Sequence, residues 1–217
     1  FAGIAAQDRL RILRAELSFD NADRFNGANQ VQLSFAKGIN GLGATDSSNP
    51  NASRTPGDVD FFKTSLSVSR TQSLGSGVSL FASAFGQWTG DPLLSSQECG
   101  YGGQQYGRGF DASVITGDEC LNASLEMRYN LASQGTVSSL GLDYAQAYAF
   151  ADTGHISNIT PPLGTPASDH ASSAGLGIRF GKGRMSLDIS AAKPLDTPNS
   201  TTVSNNWQGW FSLSAQF

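Results

Sequence analysis

Residues 121–131 read Leu-Asn-Ala-Ser-Leu-Glu-Met-Arg-Tyr-Asn-Leu. Leu121, Ala123, Leu125, Met127, Tyr129 and Leu131 fall on one face of an extended chain, and Asn122, Ser124, Glu126, Arg128 and Asn130 on the other. A period of two is the signature of a β-strand, because successive side chains point to opposite sides of a sheet. Strands in soluble sheets usually run to about 5–6 residues, whereas a strand crossing a bilayer needs about 9–11. This stretch has the longer length.

The same alternation recurs on both sides of it. Upstream, Leu13, Ala15, Leu17 and Phe19 oppose Arg14, Glu16, Ser18 and Asp20, and Val31, Leu33 and Phe35 oppose Gln30, Gln32 and Ser34. Phe62, Leu66 and Val68 oppose Lys63, Ser65, Ser67 and Ser69, followed by Val78, Leu80, Ala82, Ala84 and Trp88. Downstream, Ala145, Ala147, Ala149 and Ala151 oppose Tyr148, Phe150 and Asp152. Ala174, Leu176, Ile178 and Phe180 oppose Arg179, and Met185, Leu187, Ile189 and Ala191 oppose Asp188. The last is Trp207, Phe211, Leu213, Ala215 and Phe217 against Gln208, Ser212, Ser214 and Gln216.

These segments predict about nine strands. Their connections alternate short (near 21–28, 73–77, 132–137 and 181–184) and long (near 41–58, 92–118, 155–170 and 196–205). An up-and-down barrel with tight turns at one rim and long loops at the other has this order, whereas the Greek-key crossovers of a soluble sandwich do not sort loops by length so regularly. The expected fold is therefore all-β, an antiparallel up-and-down transmembrane β-barrel.

Composition agrees. Of 217 residues only 15% are charged, against about 25% in an average soluble domain. A net charge of −4 leaves no basic footprint for nucleic acid. There is no run of 18 apolar residues, so no transmembrane helix is expected. A basic side chain at mid-bilayer on the lipid face costs about 2–4 kcal/mol. The faces with Arg14, Glu16, Lys63, Glu126, Arg128, Arg179 and Asp188 must then point into a polar lumen. Bacterial single-chain barrels have even strand numbers, and an unpaired edge in lipid is costly. Nine strands therefore imply more barrel upstream of Phe1. Residues 1–217 are expected to be the C-terminal half of a barrel of about sixteen strands, with Phe217 as its natural end.

The long loop near 92–118 contains Gly107-Arg108-Gly109-Phe110, with Gly102-Gly103 before it and the 125–129 strand after it. Phe150-Ala151-Asp152-Thr153-Gly154 follows further on. Here the chain resembles the two-partner-secretion transporters, the TpsB family of ShlB/FhaC/HecB-like haemolysin secretion/activation proteins, related to the barrel-assembly protein BamA. Residues 107–110 resemble the family's Val-Arg-Gly-Phe/Tyr lid motif, with Gly107 in place of the commoner Val. Residues 150–154 resemble its Phe-x-Asp-x-Gly strand motif. The resemblance implies a lid hairpin folded back into the barrel, with Arg108 docked on Asp152 and Glu126 beside Phe150. It implies a bacterial outer-membrane pore that secretes a partner exoprotein, an adhesin or haemolysin, without enzymatic activity or cofactor. Periplasmic POTRA domains and the first barrel strands would precede this chain. It also implies contact with outer-membrane lipid and with the barrel-assembly machinery, read through the C-terminal signal Phe211, Leu213, Ala215 and Phe217. An assembly factor like BamA shares the lid motif and is the alternative.

Cys99 and Cys120 bracket the motif, and their spacing fits no zinc site. They form a loop disulfide in an oxidising compartment or stand as free thiols in a reducing one; the implied compartment favours the disulfide. His155 and His170 are expected in one long loop, solvated rather than metal-binding. Trp88, Tyr129, Trp207 and Trp210 are candidates for interfacial or lumen-edge aromatics. The four Asn-x-Ser/Thr triplets, at 51, 122, 158 and 199, carry no weight in a bacterial protein. A barrel-type hydrolase would need a nucleophile and histidine on converging strands, and a soluble adhesin would need no lipid face.

Overall fold

The computed structural model describes residues 6–45, 49, 51–131, 141–161 and 164–216. Among the described residues nine long strands form one antiparallel meander: β1 (Ile12–Ala22), β2 (Gly27–Gly38), β3 (Phe62–Gly75), β4 (Val78–Thr89), β7 (Glu119–Asn130), β8 (Tyr144–Ser157), β9 (Ser168–Lys182), β10 (Met185–Asp196) and β11 (Gln208–Ala215). Each pairs with its neighbour in sequence, and β1 and β11 are the two edges of the sheet, which does not close on itself. Two short strands, β5 (Cys99–Tyr101) and β6 (Ile115–Gly117), form a separate hairpin inside the loop between β4 and β7.

The two faces separate as the alternation requires. Leu13, Leu17, Phe19, Leu125, Met127, Leu176, Phe211 and Leu213 stand on the outer face and are exposed, a loss in water but not in hydrocarbon. The inner face carries Glu16, Gln30, Gln32, Ser67, Glu126 and Arg179, which line a trough of about 610 Å³. One strand shows why its inner face is rich in glycine. Gly175, Gly177 and Gly181 on β9 pair with Phe150, Tyr148 and Tyr144 on β8. A Cβ at any of the three would lie within 2.6 Å of the facing ring. The aromatic rings cover the glycines and stiffen this part of the wall.

Two expectations need correction. His155 and His170 are not loop residues. They pair directly across β8 and β9 on the outer face, because both strands run longer than their apolar alternation suggests. His170 Nε2 lies 2.9 Å from an Asp196 carboxylate oxygen, and among the described residues no group of three or more His, Cys, Asp and Glu could hold a metal ion. The short connection expected near 132–137 lies outside the described residues. The long loop expected over 155–170 shrinks to 158–167. At the opposite rim, Ser76 and Gly77 both have positive φ, as the tight β3–β4 hairpin demands.

Candidate functional site: a buried arginine at the inner wall

The segment between β4 and β7 does not extend away from the sheet. It turns back against the inner faces of β7, β8 and β9. Tyr101, Phe110 and Ile115 of this segment are buried with Cys99, Cys120, Ile156 and Ala171. Burying a large apolar side chain contributes about 1.5–3 kcal/mol, so this cluster alone favours the docked position. Cys99 of β5 and Cys120 of β7 are joined by a disulfide, which ties the base of the hairpin to the wall.

At the far end of the segment lies Arg108, itself buried. Its backbone N–H donates to Asp152 Oδ2 at 3.0 Å, its Nε to the same oxygen at 2.9 Å, and its Nη2 to Asp152 Oδ1 at 2.7 Å. Nη1 donates to Glu126 Oε1, and Nη2 also donates to Ser124 Oγ at 2.8 Å. The guanidinium carbon sits 3.5 Å from the centre of the Phe150 ring. Only a planar fork with several fixed donors meets two carboxylates and an aromatic face together. On the other side, Trp210 Nε1 donates to the Arg108 carbonyl at 2.7 Å, and Ser173 Oγ accepts from Gly109 N at 3.1 Å. Four strands, β7, β8, β9 and β11, thus hold one short stretch of the hairpin segment.

The glycines around Arg108 follow from this crowding. Gly107 has φ +83°, and a Cβ there would meet the Tyr101 ring at 2.8 Å. A Cβ on Gly109 would meet Ser173 Cβ at 2.6 Å and the β10 backbone at 3.0 Å. In the wall motif, Phe150 stacks on Arg108, Asp152 binds it, and Gly154 leaves room for the Tyr101 ring, which a Cβ would approach to 2.1 Å. Gly107, Arg108, Gly109, Phe150, Asp152 and Gly154 therefore each make a contact that suits the residue present. Replacing Gly107 with Val, the residue commoner in related motifs, is expected to destabilise the docked segment by about 2 kcal/mol through the left-handed backbone and the ring contact. Faster proteolysis between 99 and 117 in the folded protein would show it; unchanged protection would contradict it.

The charges extend beyond Arg108. Glu126 also accepts from Arg128 at 2.7 Å and Arg179 at 3.2 Å, and Arg179 reaches Asp188 as well. Tyr148 O–H donates to Asp188 at 2.6 Å. The inner wall facing the hairpin is thus an alternating lattice of guanidinium and carboxylate.

This arrangement is the inner face of an antiparallel sheet with a loop segment docked on it. The family model of the haemolysin secretion/activation proteins ShlB/FhaC/HecB matches residues 4–180. The protein belongs to this family. No curated protein sequence matches the chain. Among solved structures it is similar to CdiB from Escherichia coli, with a TM-score of 0.79 and 20% identity over 97% of this chain. The match takes in 37% of the CdiB chain, so the chain spans little more than a third of that protein's length. The likeness supports the fold: this family member is an all-β protein of the outer membrane.

Of the residues singled out from the sequence, the structure brings Gly107, Arg108, Gly109, Phe110, Glu126, Phe150 and Asp152 into one cluster. Phe211, Leu213 and Ala215 stand on the opposite side of the sheet from it, on the outer face opposite Ile189, Leu187 and Met185; Phe217 lies outside the described residues. Several contact residues carry little or no signal in the sequence. Ser124 and Ser173 are among many serines of the inner faces, and Tyr101 sits in a glycine-rich loop with no periodicity. Trp210 reads only as an aromatic of unfixed depth. Arg54 and Asp118 have no sequence signal at all. Arg54 Nη2 donates to Asp118 Oδ2 at 3.0 Å, and both groups are buried. Burial pushes the carboxyl of their neighbour Glu98 above the usual range, although Arg54 lies 3.2 Å away and opposes the shift.

Proposed function

We propose that the protein is the C-terminal barrel portion of a two-partner-secretion transporter, whose pore exports an unfolded exoprotein resembling an adhesin or haemolysin. The hairpin segment at 92–118 is its lid. At rest the lid lies across the lumen, held by Arg108, and it yields when substrate passes. POTRA domains preceding this chain receive the substrate on the periplasmic side. Phe211, Leu213, Ala215 and Phe217 form the signal read by the barrel-assembly machinery, and the outer apolar face meets lipid. The pore performs no catalysis.

The single observation that carries this reading is the set of hydrogen bonds that buried Arg108 donates to Asp152, Glu126 and Ser124. A residue that only shaped a surface loop would not need two buried carboxylates on the pore wall. The test is export. Cells carrying the full-length gene and a co-expressed gene for the exoprotein substrate are expected to release that exoprotein into the medium. Deletion of the full-length gene should leave it in the periplasm while other barrels assemble normally. A general loss of outer-membrane barrels on deletion would favour the assembly-factor alternative.

A further inference from the structure

Four connections lie at the rim where the Arg108 hairpin is rooted, and one of them makes a second buried ion pair with it. Arg54 belongs to the loop between β2 and β3, residues 39–61. Its guanidinium donates to Asp118 through both Nη atoms, to the Leu93 carbonyl at 2.9 Å, and to Asn158 Oδ1 at 3.3 Å. Asp118 is fully buried, and its carboxylate also accepts from Leu93 N at 2.7 Å and Ile159 N at 2.9 Å. One carboxylate therefore gathers the 39–61 loop, both ends of the lid segment and the β8–β9 loop. Beside it, Phe61 and Leu93 are buried together with Ala36, Asp58 N donates to Pro92 O at 2.8 Å, and Ser95 N donates to Ser53 Oγ at 3.1 Å.

We propose that Arg54 is a second positioning residue for the lid, so that the 39–61 loop latches the base of the lid while Arg108 latches its tip. The inference rests on the lid reading under Proposed function and adds to it. Opening then requires two buried arginine clusters to part, Arg108 with Asp152 and Glu126 and Arg54 with Asp118 and Glu98. The 39–61 loop at the rim becomes the element through which an outer-surface event reaches the pore. Asp118 is suited to the role because it ends the lid segment, immediately before β7: any displacement of the lid's base must pull on it.

The test uses the full-length protein reconstituted in planar bilayers, with heat-modifiable migration as the check that the barrel is folded. Arg54→Ala is expected to raise the fraction of time spent conducting about tenfold, which corresponds to about 1.4 kcal/mol. Arg54→Ala with Arg108→Ala should approach the product of the single effects, because the two latches share no partner and act on the same docked-to-released equilibrium. Unchanged conduction in a folded Arg54→Ala protein would overturn the proposal. A second measurement does not depend on that variant folding. Ser53→Cys with Ser95→Cys, joined in the folded protein by a short bifunctional thiol reagent, should suppress both spontaneous conductance and export. Wild-type export from the cross-linked protein would show that the two loops need not separate. If the untreated wild type conducts but exports nothing, the transporter reading fails while the latch remains measurable by conductance.

Discussion

Replacing Arg108 with alanine is expected to open the resting pore of the full-length protein about a hundredfold or more, with the barrel still folded. Removing one partner of a buried ion pair costs about 3–5 kcal/mol, because the remaining charge is left without compensation. Here the penalty falls on the docked state alone: with the hairpin released, the Asp152 and Glu126 carboxylates face a wet lumen. The equilibrium between docked and released hairpin moves by the whole amount, two decades or more at about 1.4 kcal/mol per tenfold. The series has an internal order. Asp152 accepts three hydrogen bonds from Arg108, whereas Glu126 accepts one and is shared with Arg128 and Arg179. Asp152→Asn should therefore release the hairpin more than Glu126→Gln. Arg108→Lys should behave nearly as the alanine variant, since an ammonium cannot span both carboxylates and lie over Phe150. Single-channel conductance measures all four. A closed Arg108→Ala pore, or an effect of Glu126→Gln larger than that of Asp152→Asn, would remove the clamp from the mechanism. Export should fall together with closure, because a lid that no longer returns to one position cannot be displaced in an ordered way.

The parts of the molecule legible in the sequence are those governed by a short-range period. In β7 the alternation of Leu121, Ala123, Leu125 and Met127 with Asn122, Ser124 and Glu126 fixes which side chains meet the lumen, and the pairing with β8 then places Glu126 opposite Phe150. Arg108 could be connected to that wall only through the resemblance of two short motifs, because its loop has no period to read. The Arg54–Asp118 pair had neither aid. Its partners are 64 residues apart in irregular segments, and an isolated arginine beside Ser and Thr looks like any solvated loop residue. The histidines failed for the opposite reason. His155 and His170 sit where the outer face leaves the apolar band, so the alternation weakens although the β-ladder continues. Loss of hydrophobic contrast marks the edge of the lipid, not the end of the strand.

Gly154→Ala is expected to cost about 3 kcal/mol, although it adds a single methyl group. The Cβ would stand 2.1 Å from the Tyr101 ring and 2.7 Å from Asn122 Oδ1. Tyr101 is fully buried and packs against Phe110 with ring centres 5.9 Å apart. The ring cannot retreat without moving Phe110, and Phe110 cannot move without pulling on Arg108 two residues before it. Adding volume to a packed site usually costs about 1–3 kcal/mol, and a site with no free direction belongs at the upper end. The damage should appear as undocking of the hairpin, not as unfolding of the barrel, because Gly154 keeps an ordinary ladder position opposite Asn122 and Ala171. A Tyr101→Ala background separates the two possibilities. With the ring removed, Gly154→Ala should cost at least about 1 kcal/mol less than in the wild type, a coupling within the range measured for residues in contact. Protease protection of residues 99–117 and the thermal midpoint of heat-modifiable migration give the two quantities independently. If Gly154→Ala lowers the barrel's midpoint equally in both backgrounds, the glycine serves the strand itself, and the Phe-x-Asp-x-Gly segment has no part in seating the lid.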